Sequence, residues 1–256
     1  MGGIIASIVG AIISTAAGIG FYKGAIHFRD LMEEKAQLTN DEKNLKDLAT
    51  GILGYAQTVG ALPPADFRQA ARENVQNANP GLSWRVAILP FIGEEDLYRE
   101  FNLDEPWDSR NNRPLVSRMP KVFAHPRAEP AKTGAGLTYY CAFVGPGTAF
   151  DPSAAPRGGR PGNRQVGTRL VDFTDGLEKT LLIVEAADPV EWTRPDDLPY
   201  APNRPLPKLG NLFRDGFHLL TADGEVHFVR QEADEAALRA LITRNGGETV
   251  NWQDLE

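Results

Sequence analysis

The chain has 256 residues, with 27 basic and 34 acidic side chains and a formal net charge of −7 at pH 7. This acidic balance, without any Lys/Arg-rich run, argues against a nucleic-acid-binding protein, which would normally carry a basic stripe. The hydrophobic fraction of 42% is ordinary and predicts a packed core. Cys141 is the single cysteine, so no intrachain disulfide can form, and its apolar neighbours favour a buried structural thiol.

The N-terminal segment carries no charged side chain before Lys23. About 20 helical residues span about 30 Å, the hydrocarbon thickness of a bilayer. The segment lacks the basic start of a cleaved secretory signal, and Ala6 stands where a myristoylation motif has Ser or Thr. We therefore expect a retained membrane or assembly helix over residues 1–28. Lys23 and Arg29 follow it, and by the positive-inside rule they favour a cytoplasmic body.

Small residues recur in this segment at four-residue spacing, which lets helix backbones approach closely in lipid. The alternative is that Gly and Ala are simply common in membrane helices. The first interpretation predicts self-association through the helix. The predicted helix-packing residues are Gly3, Gly10, Ser14, Gly18, Gly20 and Gly24.

Residues 29–62 read as an amphipathic helix. Leucine or isoleucine recurs every seventh residue at Leu31, Leu38, Leu45 and Ile52, which predicts a narrow apolar face. Thr39 and Glu42 have the spacing of a capping box, so we expect a break or restart near Thr39. Pro63 and Pro64 should end the element.

Residues 63–256 form the predicted globular body. The segment 66–75 reads as a short helix, and the pattern changes to strands from Leu137 onward. The Asp223-Gly224 pair between alternating apolar runs is a strong hairpin signal, with Ala222 expected opposite Glu225. The last element is a helix from Asp234 to about residue 244.

No strong catalytic motif appears in the chain. In the expected hairpin register, His218 and His227 are diagonal neighbours with Glu225 on the same face, a set that could bind zinc. Such pairs are about 7–8 Å apart and no fourth ligand is evident, so a solvated sheet face is the better interpretation. His125 precedes Pro126, and the sequence names no partner for it. We therefore predict a protein that is not an enzyme and has no metal or cofactor.

A series of short motifs, in one order, resembles a known family: planctomycete pilin-like proteins of unknown function, which carry the prepilin-type processing-associated domain named for His, nine residues, Asp-Gly (domain of unknown function 1559). The resemblance covers about residues 44–247. The matching stretches include Asn44-Leu45-Lys46, Leu62-Pro63-Pro64, Ser83-Trp84-Arg85, Glu105-Pro106-Trp107-Asp108, Val144-Gly145-Pro146-Gly147-Thr148, Asp172-Phe173-Thr174-Asp175-Gly176 and Ala222-Asp223-Gly224.

The family implies an α+β, pilin-like layout, in which a long N-terminal helix, apolar and then amphipathic, packs on a mainly antiparallel sheet with short helices and long loops. It implies no established activity. The chain departs from the family at Phe213, where the family has the His of its name, and at Ile5, where a processed prepilin has Glu. The family favours a body outside the cytoplasm, against the inference from Lys23 and Arg29.

Two functions follow from this reading. The first is a non-enzymatic structural protein, anchored in the cell membrane as a single-pass protein or assembled into a surface filament through its N-terminal helix. The second is a membrane-tethered extracytoplasmic binding module for a small ligand or glycan. Its predicted ligand loops contain Trp107, Arg157, Arg160 and Trp192.

Overall fold

A computed structural model describes residues 2–67, 80–154 and 167–255, with side chains from residue 28 onward. Contacts divide the chain into two compact units, Met1–Asn40 and Asp41–Glu256. The fold class is confirmed: a long N-terminal helix accompanies a mainly antiparallel sheet and short helices. The α-helices are α1 (Gly2–Val59), α2 (Trp84–Ala87), α3 (Glu95–Glu100), α4 (Pro130–Gly134) and α5 (Glu235–Ile242). The strands are β1 (Asp66–Phe67), β2 (Leu82–Ser83), β3 (Leu137–Cys141), β4 (Phe143–Val144), β5 (Leu181–Glu191), β6 (Leu198–Pro199), β7 (Gly216–Thr221) and β8 (Val226–Arg230).

Helix α1 continues without a break through Thr39, so the predicted restart there is wrong. The Thr39 hydroxyl donates a hydrogen bond to the carbonyl of Lys35, one turn earlier, as threonine does inside helices. The helix ends at Val59. Gly60 follows it with a positive φ of 87°, and its N–H donates to the carbonyl of Ala56.

The seven-residue apolar repeat of α1 is only partly buried. Leu45 and Ile52 are inaccessible to solvent and belong to the main core, whereas Leu31 is 51% exposed. Gly51 lies on the buried side of the helix, where an added Cβ would stand 2.6 Å from Ile92. Glycine is thus needed there for close packing, although it weakens the helix.

Among the side chains that the structure describes, no helix has both the length and the hydropathy needed to cross a bilayer. The predicted membrane helix, residues 1–28, lies almost entirely outside this described part, as do its six predicted packing residues. The predicted anchor therefore stays a prediction.

The main sheet has four antiparallel strands in the order β3-β5-β7-β8. One core cluster joins α1 to this sheet through Ile52, Ile183 and Leu220. A second cluster joins strands β5, β7 and β8 to α5, whose Leu241 is fully buried. The remaining strands form two small pairs, β1-β2 antiparallel and β4-β6 parallel.

The β7-β8 hairpin is present, but its predicted register is wrong by one residue. His218 pairs with Phe228, so the ladder closes at Thr221 and Glu225 around a three-residue loop. Ala222 leaves the ladder because its N–H donates instead to the carbonyls of residues 177 and 180. Gly224 takes the left-handed conformation, with φ 93°, that such a loop requires.

The predicted short helix over residues 66–75 begins instead as a strand. Asp66 and Phe67 pair with Ser83 and Leu82, and residues 68–79 lie outside the described part. The last helix is confirmed: Asp234 accepts the N–H of Ala237 as the N-terminal cap of α5.

Candidate functional site

A row of polar side chains crosses the face of the sheet that meets α1. Tyr140 of β3 pairs with Glu185 of β5. The β5-β7 pairing then brings His218 beside Glu185, and the His218 backbone N–H donates to Glu185 Oε1 over 2.7 Å. Paired residues point to the same face of a sheet, so these three side chains converge. Asp41 of α1 and His125, which follows a 3-10 helix at Lys121–Phe123, complete the group.

Asp41, His125, Glu185 and His218 form a closed arrangement that we call the buried ring. Each carboxylate lies between the two imidazoles and meets one with each of its oxygens. His125 Nε2 lies 3.1 Å from Glu185 Oε2 and 3.4 Å from Asp41 Oδ1. His218 Nδ1 lies 2.7 Å from Asp41 Oδ2 and 3.4 Å from Glu185 Oε1. The four side chains are between 0% and 8% exposed.

Further donors surround the ring. The Tyr140 hydroxyl donates to Asp41 Oδ1, and Asn44 Nδ2 donates both to the Tyr140 oxygen over 3.3 Å and to the carbonyl of Ala124 over 3.1 Å. Helix α1 thus contributes two polar residues one turn apart, Asp41 and Asn44, to the same site. Both are buried, so their hydrogen bonds replace those lost to water.

Burial and charge set the protonation of the ring. Burial raises the pKa of Asp41 to about 6, although its hydrogen bond with His218 acts in the opposite direction. Burial opposes ionisation of Glu185 as well, but hydrogen bonds from His125 and His218 lower its pKa to about 2. Burial alone would lower the pKa of His218, yet its hydrogen bonds with Asp41 and Glu185 raise it to about 9. At neutral pH His218 is therefore a cation between two carboxylates.

Asp41, His125 and Glu185 have the donor atoms and the spacing of a metal site, with one ligand atom from each within 4.8 Å of the others. The hydrogen bond on the far side of His125 argues against ligation. The backbone N–H of Arg127 donates to His125 Nδ1 over 3.1 Å, so that nitrogen is an acceptor and the ring proton lies on Nε2. A metal-bound histidine instead donates from its other nitrogen. The ring therefore fits a hydrogen-bonded cluster better than a metal centre.

The ring is suited to holding an element in place. Apolar contacts are non-directional, so they leave the rotation and axial position of α1 weakly defined. The hydrogen bonds that Asp41 accepts from Tyr140 and His218 have fixed directions and satisfy buried groups only in one position of the helix. The ring lies below the surface, and His218, at 8%, has the most exposed of its four side chains. Its arrangement supports a structural role.

The histidine pair considered from the sequence does not form. In the observed register His218 and His227 lie on opposite faces of the sheet, since His218 pairs with Phe228 and His227 with Leu219. His227 instead stacks on Trp252, with ring centroids 3.8 Å apart. His218 and His227 therefore do not form the zinc site that was considered from the sequence, and His218 has other partners.

Two of the four predicted ligand-loop residues, Trp107 and Trp192, lie in the described part of the chain; Trp192 belongs to the main apolar cluster and Trp107 packs against it. Trp192 is fully buried, stacks on Phe123 at 5.7 Å and donates from Nε1 to the carbonyl of Val116. This burial leaves it out of reach of a ligand. Trp107 is half-buried, with the Arg113 guanidinium over its ring. Arg157 and Arg160 lie outside the described residues, so the loop as a whole stays a prediction.

Sequence reasoning singled out His125 and His218 but did not bring the ring together. Its members are separated by as many as 177 residues. One signal was available. Asp41 and Asn44 are polar residues that interrupt the apolar face of the amphipathic helix next to the buried Leu45 and Leu48. Polar residues beside such a stripe indicate a buried polar partner, though not which one.

The buried single cysteine is confirmed. Cys141 of β3 is inaccessible to solvent, and burial raises its pKa to about 12. A thiol with so high a pKa is inert at neutral pH. The thiol therefore offers no reactive group beside the neighbouring Tyr140.

Comparisons with curated proteins and with solved structures gave no match. A family model described as a protein of unknown function, DUF1559, matches residues 39–214. The match begins two residues before Asp41 and covers three of the four residues of the buried ring, with His218 just beyond it. By this match over more than half of its length, the chain belongs to the DUF1559 family.

Proposed function

We propose that the protein is a non-enzymatic, pilin-like structural protein that is anchored in the cell membrane or assembled into a filament through its N-terminal helix. The observation that carries the proposal is the extent of α1. One helix, Gly2–Val59, contains both the uncharged N-terminal segment and residues such as Leu48 and Ile52 that are buried in the core of the body. The same helix then serves for attachment and for folding.

Exposed apolar side chains on α1 support the proposal. Phe28 is 65%, Leu31 51% and Met32 52% exposed, and their spacing of three and four residues gives them one face of the helix. Large exposed apolar patches mark surfaces that contact a partner or a membrane. A second copy of the same helix has the matching chemistry, and packing of two such faces would cover these side chains.

The buried ring supports the same role. A subunit that is held through its helix needs that helix fixed to the body. Asp41 is the first residue of the second compact unit, and its hydrogen bonds with His218 and Tyr140 hold this part of α1 against the sheet.

The test separates assembly from anchoring. In the full chain, replacing Gly10, Gly18 and Gly20 with Leu adds bulk where helix backbones would meet and also adds hydrophobicity. We expect the variant to stay in the membrane fraction while its oligomers, seen by crosslinking and by imaging without detergent, disappear. A matched control replaces Ile4, Ile12 and Ile19 with Leu and should assemble normally.

Two outcomes would contradict the proposal. Oligomers that are unchanged in the glycine variant would exclude packing through the small residues. A wild-type chain that is freely soluble and monomeric in plain buffer would exclude both anchoring and assembly. Protease added to intact cells tests the position of the body, which we expect to be cleaved because it lies outside the cytoplasm.

A further inference from the structure

Strand β8 is an edge of the main sheet and pairs with β7 on one side. At the loop end of the hairpin, the Thr221 N–H donates to the Glu225 carbonyl. At the other end, the Gln231 N–H donates to the Asp215 carbonyl. Bonding alternates along an antiparallel strand, so the odd-numbered residues of β8 bond to β7. The even-numbered residues direct their N–H and C=O groups outward: Val226, Phe228 and Arg230.

A short segment, Asn251–Leu255, contacts β8 at two places, and we call it the strap. The outward N–H of Arg230 donates to the carbonyl of Leu255 over 2.8 Å, and the Arg230 side chain donates to a second carbonyl of the strap over 3.2 Å. Trp252 stacks on His227, with ring centroids 3.8 Å apart. Leu255 is inaccessible to solvent and anchors the strap in the second core cluster.

The outward groups of Val226 and Phe228 bond to no described residue. Unpaired N–H and C=O groups on a sheet edge are a template for another strand. This edge is its own complement. Two β8 strands can run antiparallel about a two-fold axis through His227, which places Val226 of each copy opposite Phe228 of the other. Each such pair would exchange both of its N–H···O=C bonds.

Charge also favours this pairing. In the same register Arg230 lies opposite Gly224 of the second copy, in a hairpin loop that carries Asp223 and Glu225. All three charged side chains are exposed, so opposite charges would meet at both ends of the paired strands. The Arg230 N–H would then donate to the carbonyl of Gly224 of the second copy. Because Leu255 already accepts that N–H, the strap and a second copy compete for one donor.

We propose that the strap is an autoinhibitory contact: it keeps β8 of one copy from pairing with β8 of a second copy, and the two strands pair when it is displaced. Covering an exposed edge is one of the ways in which proteins prevent unwanted strand pairing. The paired copies would share one continuous sheet. The surface involved is separate from the exposed face of α1, so this inference does not rest on assembly through that helix.

A cysteine on the two-fold axis reports the pairing. Residues opposite each other in a non-hydrogen-bonded antiparallel pair have Cα atoms about 4.5 Å apart, which a disulfide can span. His227→Cys provides this thiol in the full chain, and the native Cys141 is buried. We expect a disulfide-linked dimer under mild oxidation when this substitution is combined with removal of the residues after Val250. With the strap intact, the dimer should be absent.

Two controls test the register. Glu225→Cys is exposed on the same hairpin, but in the proposed pairing its thiols stand about 14 Å apart, four residues along the strand, so it should not crosslink. Val226→Pro removes an outward N–H and no bond to β7, as an edge strand tolerates. In the shortened His227→Cys chain, this second substitution should abolish the dimer.

Slow reaction of Cys141 with a thiol reagent shows that a variant is folded. If the shortened chain does not fold, Asn251→Ala combined with Trp252→Ala decides, because it removes the cap and the ring stack of the strap but keeps Leu255. The proposal is overturned if the folded variant without a held strap gives no His227→Cys dimer. It is also overturned if the dimer forms as readily with the strap intact. A failure of assembly through α1 would leave both readouts unchanged.

Discussion

The buried ring makes the stability of the body depend on pH in a definite direction. The pKa of His218 is about 9 in the folded protein and 6.5 for the ordinary side chain, so the folded state holds this proton more tightly. The stabilisation is fully present below pH 6.5 and is lost as the pH rises through 9. A difference of about 2.5 pKa units corresponds to about 3 kcal/mol.

Other groups contribute little between these limits. Asp41, with a pKa of about 6, and Glu185, with a pKa of about 2, are both ionised above pH 7 in either state. The thiol of Cys141 has a pKa of about 12 in the folded protein and an ordinary pKa of 9.0. Its ionisation in the unfolded chain therefore lowers the stability of the fold only near and above pH 9. The window from pH 7 to 8.5 therefore isolates His218.

The assay is urea unfolding of the full chain at steps of pH, followed by tryptophan fluorescence. We expect the free energy of unfolding to fall by up to about 3 kcal/mol as the pH rises towards 9. The fall should disappear in His218→Gln, which does not titrate, and should persist in the matched control His227→Gln on the neighbouring strand. A wild-type chain with constant stability from pH 7 to 8.5 would refute the proposed charge on His218.

Three further predictions follow from packing and burial. Glu185→Gln should lower the free energy of unfolding by about 3–5 kcal/mol, because it leaves the His218 cation with a weaker set of buried partners; a loss below about 1 kcal/mol in chemical denaturation would contradict this account. Gly51→Ala should destabilise the body by about 1–3 kcal/mol, because the new Cβ would lie 2.6 Å from Ile92, whereas Gly134→Ala meets no atom within 4 Å and should be neutral or stabilising by the same measurement. Cys141 should react with a thiol reagent at pH 8 only after unfolding, and rapid labelling of the native chain would show that the thiol is accessible.

Local patterns predicted the order and type of most elements. The 3.6-residue period and the absence of proline indicate the helix up to Val59, and alternating residues around Asp223 and Gly224 indicate the hairpin. These signals depend on a few neighbouring residues, so the sequence is enough to detect them. The hairpin register was missed for a non-local reason: the N–H of Ala222 bonds to residues 177 and 180.

The predicted helix break at Thr39 was also wrong because of contacts that lie outside the local pattern. Its capping-box spacing is a local signal, but the helix continues because Leu45 and Leu48, just beyond it, are held in the core. Tertiary packing of an apolar face outweighs a capping preference of about 1 kcal/mol.

Sequence alone determined that this is an acidic α+β chain with an uncharged opening segment, a long amphipathic helix and a buried thiol, because composition and periodicity are properties of neighbouring residues. Only the tertiary structure decided that Asp41, His125, Glu185 and His218 share one buried ring. The ring depends on hydrogen bonds between residues far apart in the chain, and its partners are chosen by the packing of helix and sheet, which no local pattern encodes.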